Sequence, residues 1–105
     1  MAERVAFRMR VHPAKIAEYK KRHDEIWPEL VEDIRAAGLR NYNIFRYGLT
    51  LFGYFECDDL DRAIVQLGKS DANKRWGEYM GPIMKIETDT IRNFSFLLPL
   101  QFHMD

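Results

Sequence analysis

The hydrophobic residues of this chain change their period several times along its length, and the order of those changes admits few folds. Val5, Phe7, Met9 and Val11 alternate with Ala6, Arg8, Arg10 and His12, the pattern of a strand with one buried and one solvated face. Pro13 then offers a first helical position, and Ile16, Tyr19, Lys20, His23, Ile26 or Trp27, Leu30, Ile34 and Ala37 recur at helical spacing until Gly38 closes the segment. Pro28 lies inside that run and removes a backbone donor. It predicts a break near Glu25 to Trp27, with two shorter helices in succession and His23 close to the break.

From Leu39 to Tyr47 and from Leu49 to Cys57 the chain reads as two aromatic-rich strands, and Gly48 between them fits a tight antiparallel hairpin. Asp58-Asp59 is a capping signal for a helix whose apolar stripe is Leu60, Ala63, Ile64 and Leu67, ended by Gly68. Ser70 caps a further helix that carries Lys74-Arg75-Trp76 and Met80, and Gly81-Pro82 stops it. The final strand has two candidate registers, one over Arg92 to Leu98 and one over Leu98 to Met104, and Pro99 places it at an edge or begins it there.

Strand, helix, strand, strand, helix, strand is the split βαβ plan of an α+β, ferredoxin-like fold, read here as a single domain over residues 1–105. The helices are expected on one face of an antiparallel sheet. The other face would carry Phe52, Tyr54, Tyr42 and Ile44 or their neighbours, depending on register, and needs a second layer. A homodimer with sheets packed face to face, the dimeric α+β barrel arrangement, supplies that layer most simply.

Charge narrows the partners. Lys plus Arg number 16 and Asp plus Glu 16 in 105 residues, which is not the footprint of a nucleic-acid binder or of a protein drawn to anionic lipid. A small neutral or weakly charged ligand fits better. Cys57 has no second Cys to pair with, which excludes an intrachain disulfide and points to a reducing cytoplasm. No apolar leader and no window of membrane-spanning length is seen, so no membrane association is expected.

Tyr19 and His23 stand four positions apart on one helical face that also bears Ile16 and Leu30, which brings two polar tips into apolar surroundings. A phenol and an imidazole together can hold a donor and an acceptor at neutral pH. The same spacing is equally compatible with two rings that fill the core. Trp76 with Tyr79 could form an aromatic wall for a flat or sugar-like ligand or serve as a core anchor, and Tyr42 is open in the same way. His12 reads as a surface residue. His12, His23 and His103 share no metal-ligand spacing, so no metal site is expected; phosphate loop, dinucleotide fingerprint and nucleophile elbow are all missing.

The run Arg22-His23-Asp24-Glu25-Ile26-Trp27-Pro28-Glu29-Leu30, preceded by Tyr19 and followed by Asn41-Tyr42, resembles the signature of the L-rhamnose mutarotase family. The similarity continues through Leu51-Phe52, Ser70-Asp71, Arg75-Trp76 and Tyr79-Met80 to Phe102-His103-Met104-Asp105. The resemblance implies a small ferredoxin-like homodimer that interconverts the α and β anomers of a 6-deoxyhexose, most simply L-rhamnose, with no cofactor. It places His23 at the catalytic acid/base position and Tyr19, Tyr42 and Trp76 at sugar-binding positions. Two departures stand out: Gly77 follows Trp76 where many members have a second Trp, and Lys85-Ile86-Glu87-Thr88-Asp89-Thr90 replaces the usual Asn-Pro-Asp loop. Both bear on which sugar is taken, with L-fucose or another hexose as the alternative. From a different class, fold analogy alone suggests a dimeric ferredoxin-like monooxygenase, haem-handling or ligand-binding protein.

Overall fold

The computed structural model describes residues 2–85, 88–89 and 94–105. Strand β1 (Glu3–Val11) is followed by helices α1 (Ile16–Asp24) and α2 (Pro28–Ala36), strands β2 (Arg40–Tyr47) and β3 (Thr50–Cys57), and helices α3 (Leu60–Gly68) and α4 (Asp71–Met80). The chain ends in three strands, β4 (Met84–Lys85), β5 (Thr88–Asp89) and β6 (Phe94–Leu98). The sheet runs β2-β3-β1-β6-β5, with β4 beside the end of β1, and its recorded pairs are all antiparallel. This is the ferredoxin-like α+β fold.

Local chemistry explains most of the boundaries. Pro28 sits in the first turn of α2, where its missing N–H is one that no helix would satisfy, so the predicted break falls between Asp24 and Pro28. At the other end of α2 Gly38 adopts φ +94, and the amides of Gly38 and Leu39 return to the carbonyls of Arg35 and Ile34, a Schellman closure. Asp59 and Ser70 accept from the amides of Arg62 and Asn73, as their capping signals predict. Gly48, at φ +60, opens the two-residue turn between paired Tyr47 and Thr50.

Two boundaries differ from expectation. Helix α1 begins at Ile16 and not near Pro13, because Ala14 takes φ +68 and the amide of Lys15 returns to His12 in a turn that no helix can continue. The last strand is the earlier of the two candidates. It pairs Leu97 with Phe7 and Leu98 with Ala6, and it stops where Pro99 can no longer donate. Within the departure at 85–90, Ile86, Glu87 and Thr90 lie outside the described residues.

Register decides what each sheet face carries. Val5, Phe7 and Val11 of β1 share a face with Leu51, Phe55 and Cys57 of β3, and this face packs against the helices. One group of contacts joins it to Leu39 and to Leu60, Ala63 and Leu67; a second joins it to Tyr19, Met80, Ile83 and Met84. The opposite face carries Phe45 paired with Phe52, together with Tyr54 and Tyr47. Phe45 and Tyr47 are 66% and 80% exposed within one chain.

Tyr42 and Ile44, by contrast, are not on that open face. Strand β2 pairs Arg40 with Glu56 but Asn43 with Tyr54, so it holds one extra residue between them. Asn41 is at φ +50, a conformation Asn tolerates better than most residues, and its carbonyl accepts from Asn43 at 2.9 Å. Beyond this bulge the pleat is inverted. Ile44 pairs with Gly53 on the helix-covered face, and Tyr42 stacks on Phe55 at 5.5 Å with an interplanar angle of 14°.

Gly53 makes room for that arrangement. Its partner in the ladder, Phe7, lies over it so closely that a Cβ at position 53 would clash with the far carbons of the ring. Phe7 cannot retreat, because it is almost wholly buried between Tyr42 and Phe55. Gly53→Ala is therefore expected to destabilise the protein by about 1–3 kcal/mol, read as a lower urea midpoint; an unchanged midpoint would show that Phe7 does not need this space.

Candidate active site

A cleft of about 520 Å³ opens between α1, α2 and α4 on one side and β2 on the other. His23 and Ile26, Leu30 and Ile34, Asn73 and Trp76, and Asn41, Tyr42 and Ile44 contribute to its lining. The walls are mostly apolar with a few polar groups, the composition expected of a small-molecule site. His23, Tyr42 and Trp76 of the residues singled out in the sequence meet in it. Tyr19 is not on its surface but directly beneath, its ring stacked on His23 at 4.2 Å.

His23 is held by its own helix. Its Nδ1 lies 3.1 Å from the carbonyl oxygen of Tyr19 one turn earlier. A carbonyl can only accept, so Nδ1 carries the proton and Nε2 is left as the basic nitrogen of a neutral imidazole. Burial lowers the pKa of His23 below its ordinary value, against the weaker opposing pull of the Tyr19 carbonyl and Asp24. The ring is thus neutral at physiological pH. Trp76 meets it at 5.3 Å in a nearly perpendicular contact.

The two phenols are poised differently. Tyr19 is buried, yet its hydroxyl has no hydrogen-bond partner among the described residues. Burial raises its pKa strongly, and the nearby Tyr42 adds to the rise. Tyr42 shows 42% of its surface, and desolvation of its hydroxyl likewise raises its pKa. Both groups are therefore protonated donors throughout the physiological range. A buried hydroxyl without a partner is uncommon and costs stability.

Tyr79 and Gly77 do not line the cleft. Tyr79 turns outward and stacks with Trp27 at 5.7 Å, and a Cβ on Gly77 would meet open space. His12 and His103 are exposed, and the His103 ring meets Asp105 at 2.8 Å. Among the described residues no group of three or more His, Cys, Asp or Glu could hold a metal ion, and no helix is long and apolar enough to cross a membrane. Asn41 and Asn73 are lining residues that sequence reasoning missed. The φ of Asn41 has no sequence signature, and Asn73 was hidden among the polar residues after a capping serine.

A sequence profile described as L-rhamnose mutarotase matches residues 4–101. The chain belongs to the L-rhamnose mutarotase family. A protein of Burkholderia orbicola with that name is 42% identical over 98% of this chain and 99% of its own length, and one of Oceanobacillus iheyensis is 39% identical over the same shares. Among solved structures, an L-rhamnose mutarotase of Formosa agariphila superposes with TM-score 0.80 at 29% identity, over 98% of this chain and 99% of that one. A polyketide cyclase of Streptomyces glaucescens, at TM-score 0.62 and 19% identity over 98% of this chain and 97% of its own, shares the fold.

The unpartnered hydroxyl gives this mutarotase-family site a test independent of catalysis. Tyr19→Phe keeps the ring on His23 and removes only a buried, unbonded polar group, so the free protein should gain stability of about 1 kcal/mol. A fall in melting temperature would mean that the hydroxyl is satisfied within the fold.

Proposed function

We propose that the protein interconverts the α and β anomers of L-rhamnose by acid/base opening and closing of the pyranose ring, with His23 moving the proton, Tyr42 and Trp76 holding the sugar, and Tyr19 backing the imidazole from beneath the cleft. The observation that carries this reading is the basic Nε2 of a neutral His23 in a mostly apolar cleft whose walls Tyr42 and Trp76 share. Nε2 takes the proton from the anomeric O1–H as the C1–O5 bond breaks and its electron pair goes to O5, giving the open-chain aldehyde with an O5 alkoxide and an imidazolium. The imidazolium returns the proton to O5. Rotation about C1–C2 then presents the other carbonyl face, and the reverse transfers close the ring to the opposite anomer.

The raised pKa values of the phenols divide the labour, since neither tyrosine gives up its proton readily. Tyr42, on the cleft wall, orients a sugar oxygen by donating a hydrogen bond, Tyr19 supports the imidazole ring, and the imidazole carries the charge. Trp76 and Ile26 offer the apolar surface that a C6 methyl and ring C–H groups require. No step calls for a cofactor. The relatives' names favour L-rhamnose over L-fucose and give no support to the monooxygenase or haem-handling alternative. An unpaired Cys57 is consistent with work in the cytoplasm.

Saturation-transfer NMR between the anomeric protons of L-rhamnose measures the reaction directly. His23→Ala is expected to slow enzymatic exchange by on the order of 10²-fold or more, with the fold retained by circular dichroism. Because the neutral imidazole is the active form and burial lowers its pKa, exchange in the parent should be flat through neutral pH and fall only below about 6.5. A folded His23→Ala protein with the parental rate would overturn the assignment.

The open sheet face supports a homodimer as part of the same proposal. Phe45, Tyr47 and Phe52 form an apolar surface that the chain itself leaves exposed, and a second copy related by a two-fold axis would bury it. Light scattering should give about twice the 12.5 kDa chain mass, and Phe45→Glu with Phe52→Lys should return the protein to a monomer. A parent that is monomeric at micromolar concentration would exclude this assembly.

A further inference from the structure

Trp76 is braced from behind by residues that are not part of the cleft lining. Trp27 packs against it at 5.1 Å in a perpendicular contact and also stacks with Tyr79 at 5.7 Å. The guanidinium of Arg22 lies 3.9 Å from the Tyr79 ring centre, and its Nη1 donates to the Tyr79 carbonyl at 2.5 Å. That carbonyl is among the last of α4, at the negative end of the helix, where a cation is favoured. Arg22 is fixed in turn by its Nε, which donates to Glu18 at 2.8 Å.

These contacts close on themselves. From His23 the path runs to Trp76, Trp27, Tyr79 and Arg22, and the peptide bond between Arg22 and His23 completes it. It ties α1, the break before Pro28 and α4 into one rigid unit around the imidazole. Trp27 holds the middle of that path. It is also the N-cap residue of α2, where it makes no side-chain capping bond, so Ser, Asn or Asp would serve helix initiation better. Its placement there needs a reason outside the helix.

We propose that Trp27 is a positioning residue of the site: it presses the Trp76 ring against His23, fixes the imidazole and shields it from water, and is locked in place by Arg22 through Tyr79. This rests on the reading of His23 as the proton-transfer group. Without Trp27 the half-buried Trp76 gains freedom to rotate, and water reaches the imidazole. The imidazole has Tyr19 and Asp24 of α1 and Trp76 of α4 beside it, and it shares the cleft lining with Asn73 of α4, Arg35 of α2, and Arg40, Asn41 and Tyr42 of β2. None of them changes with Trp27, so a shift in titration of His23 on its removal reports access to water.

The test compares Trp27→Leu with Trp27→Phe, each of which leaves Trp76 as the one tryptophan of the chain. The Leu variant is expected to lose kcat on the order of tenfold. Its acid limb should move up toward 6.5, the ordinary value for imidazole, and its Trp76 emission should lie to the red of the Phe variant. Phe, which can still stack on Tyr79, should restore most of all three. In a His23→Ala background, Trp27→Leu should change the residual rate no further. Should the Leu protein fail to fold, Arg22→Met and Arg22→Lys carry the same comparison, with loss in the first and partial recovery in the second. A folded Leu variant with lower melting temperature but parental kcat, pH profile and emission would make Trp27 a merely structural residue. If His23→Ala itself keeps the parental rate, it is the catalytic reading that fails, and the proposal for Trp27 fails with it.

Discussion

A strand that carries one residue more than its partner must present its side chains to opposite faces before and after the insertion, and in β2 that insertion is at Asn41. Arg40, ahead of it, pairs with Glu56 on the open side. Tyr42, after it, reaches the helix layer and stacks on Phe55. Were β2 regular, Tyr42 would stand opposite Tyr54 on the outer surface and the cleft would have no phenol on its sheet wall. The site thus depends on a left-handed Asn and on Gly53, whose missing side chain leaves space for Phe7 beneath the Tyr42 ring.

The cleft is assembled from groups that the core leaves unsatisfied. No residue of polar or charged type is buried among the described residues, and the Tyr19 hydroxyl is a buried polar atom that makes no hydrogen bond there. His23 shows the complementary economy: one nitrogen is committed to the carbonyl of the preceding turn, which settles the tautomer and leaves the other nitrogen basic. Desolvation keeps the imidazole uncharged and the phenols protonated at the same time. One physical cause therefore moves the imidazole pKa down and the phenol pKa values up.

Features set within a few residues were legible in the sequence. Pro28 announced the break, Gly38 and Gly48 the reversals, Asp59 and Ser70 the caps, and the four-residue spacing brought Tyr19 to His23. The family signature then singled out His23, Tyr42 and Trp76, which the fold collects around one cleft. What stayed hidden depends on two segments at once. The inverted pleat at Tyr42 exists only relative to β3, and the stack of Trp27 on Tyr79 joins residues far apart in the chain. Leu98 read as a candidate for either register until its pairing with Ala6 settled the last strand.

The central position of β1 also has a consequence for the order in which the protein becomes complete. Its neighbours come from residues 50–57 on one side and from the C-terminal strand on the other. A chain emerging from the ribosome can dock β3 and the helices onto β1 while the opposite edge of β1, with its unpaired amides and carbonyls, still lacks β6. That edge closes over Ala6 to Arg8 only when Phe94–Leu98 are available, so any nascent or truncated product ending before Phe94 leaves it open to whatever strand it meets first.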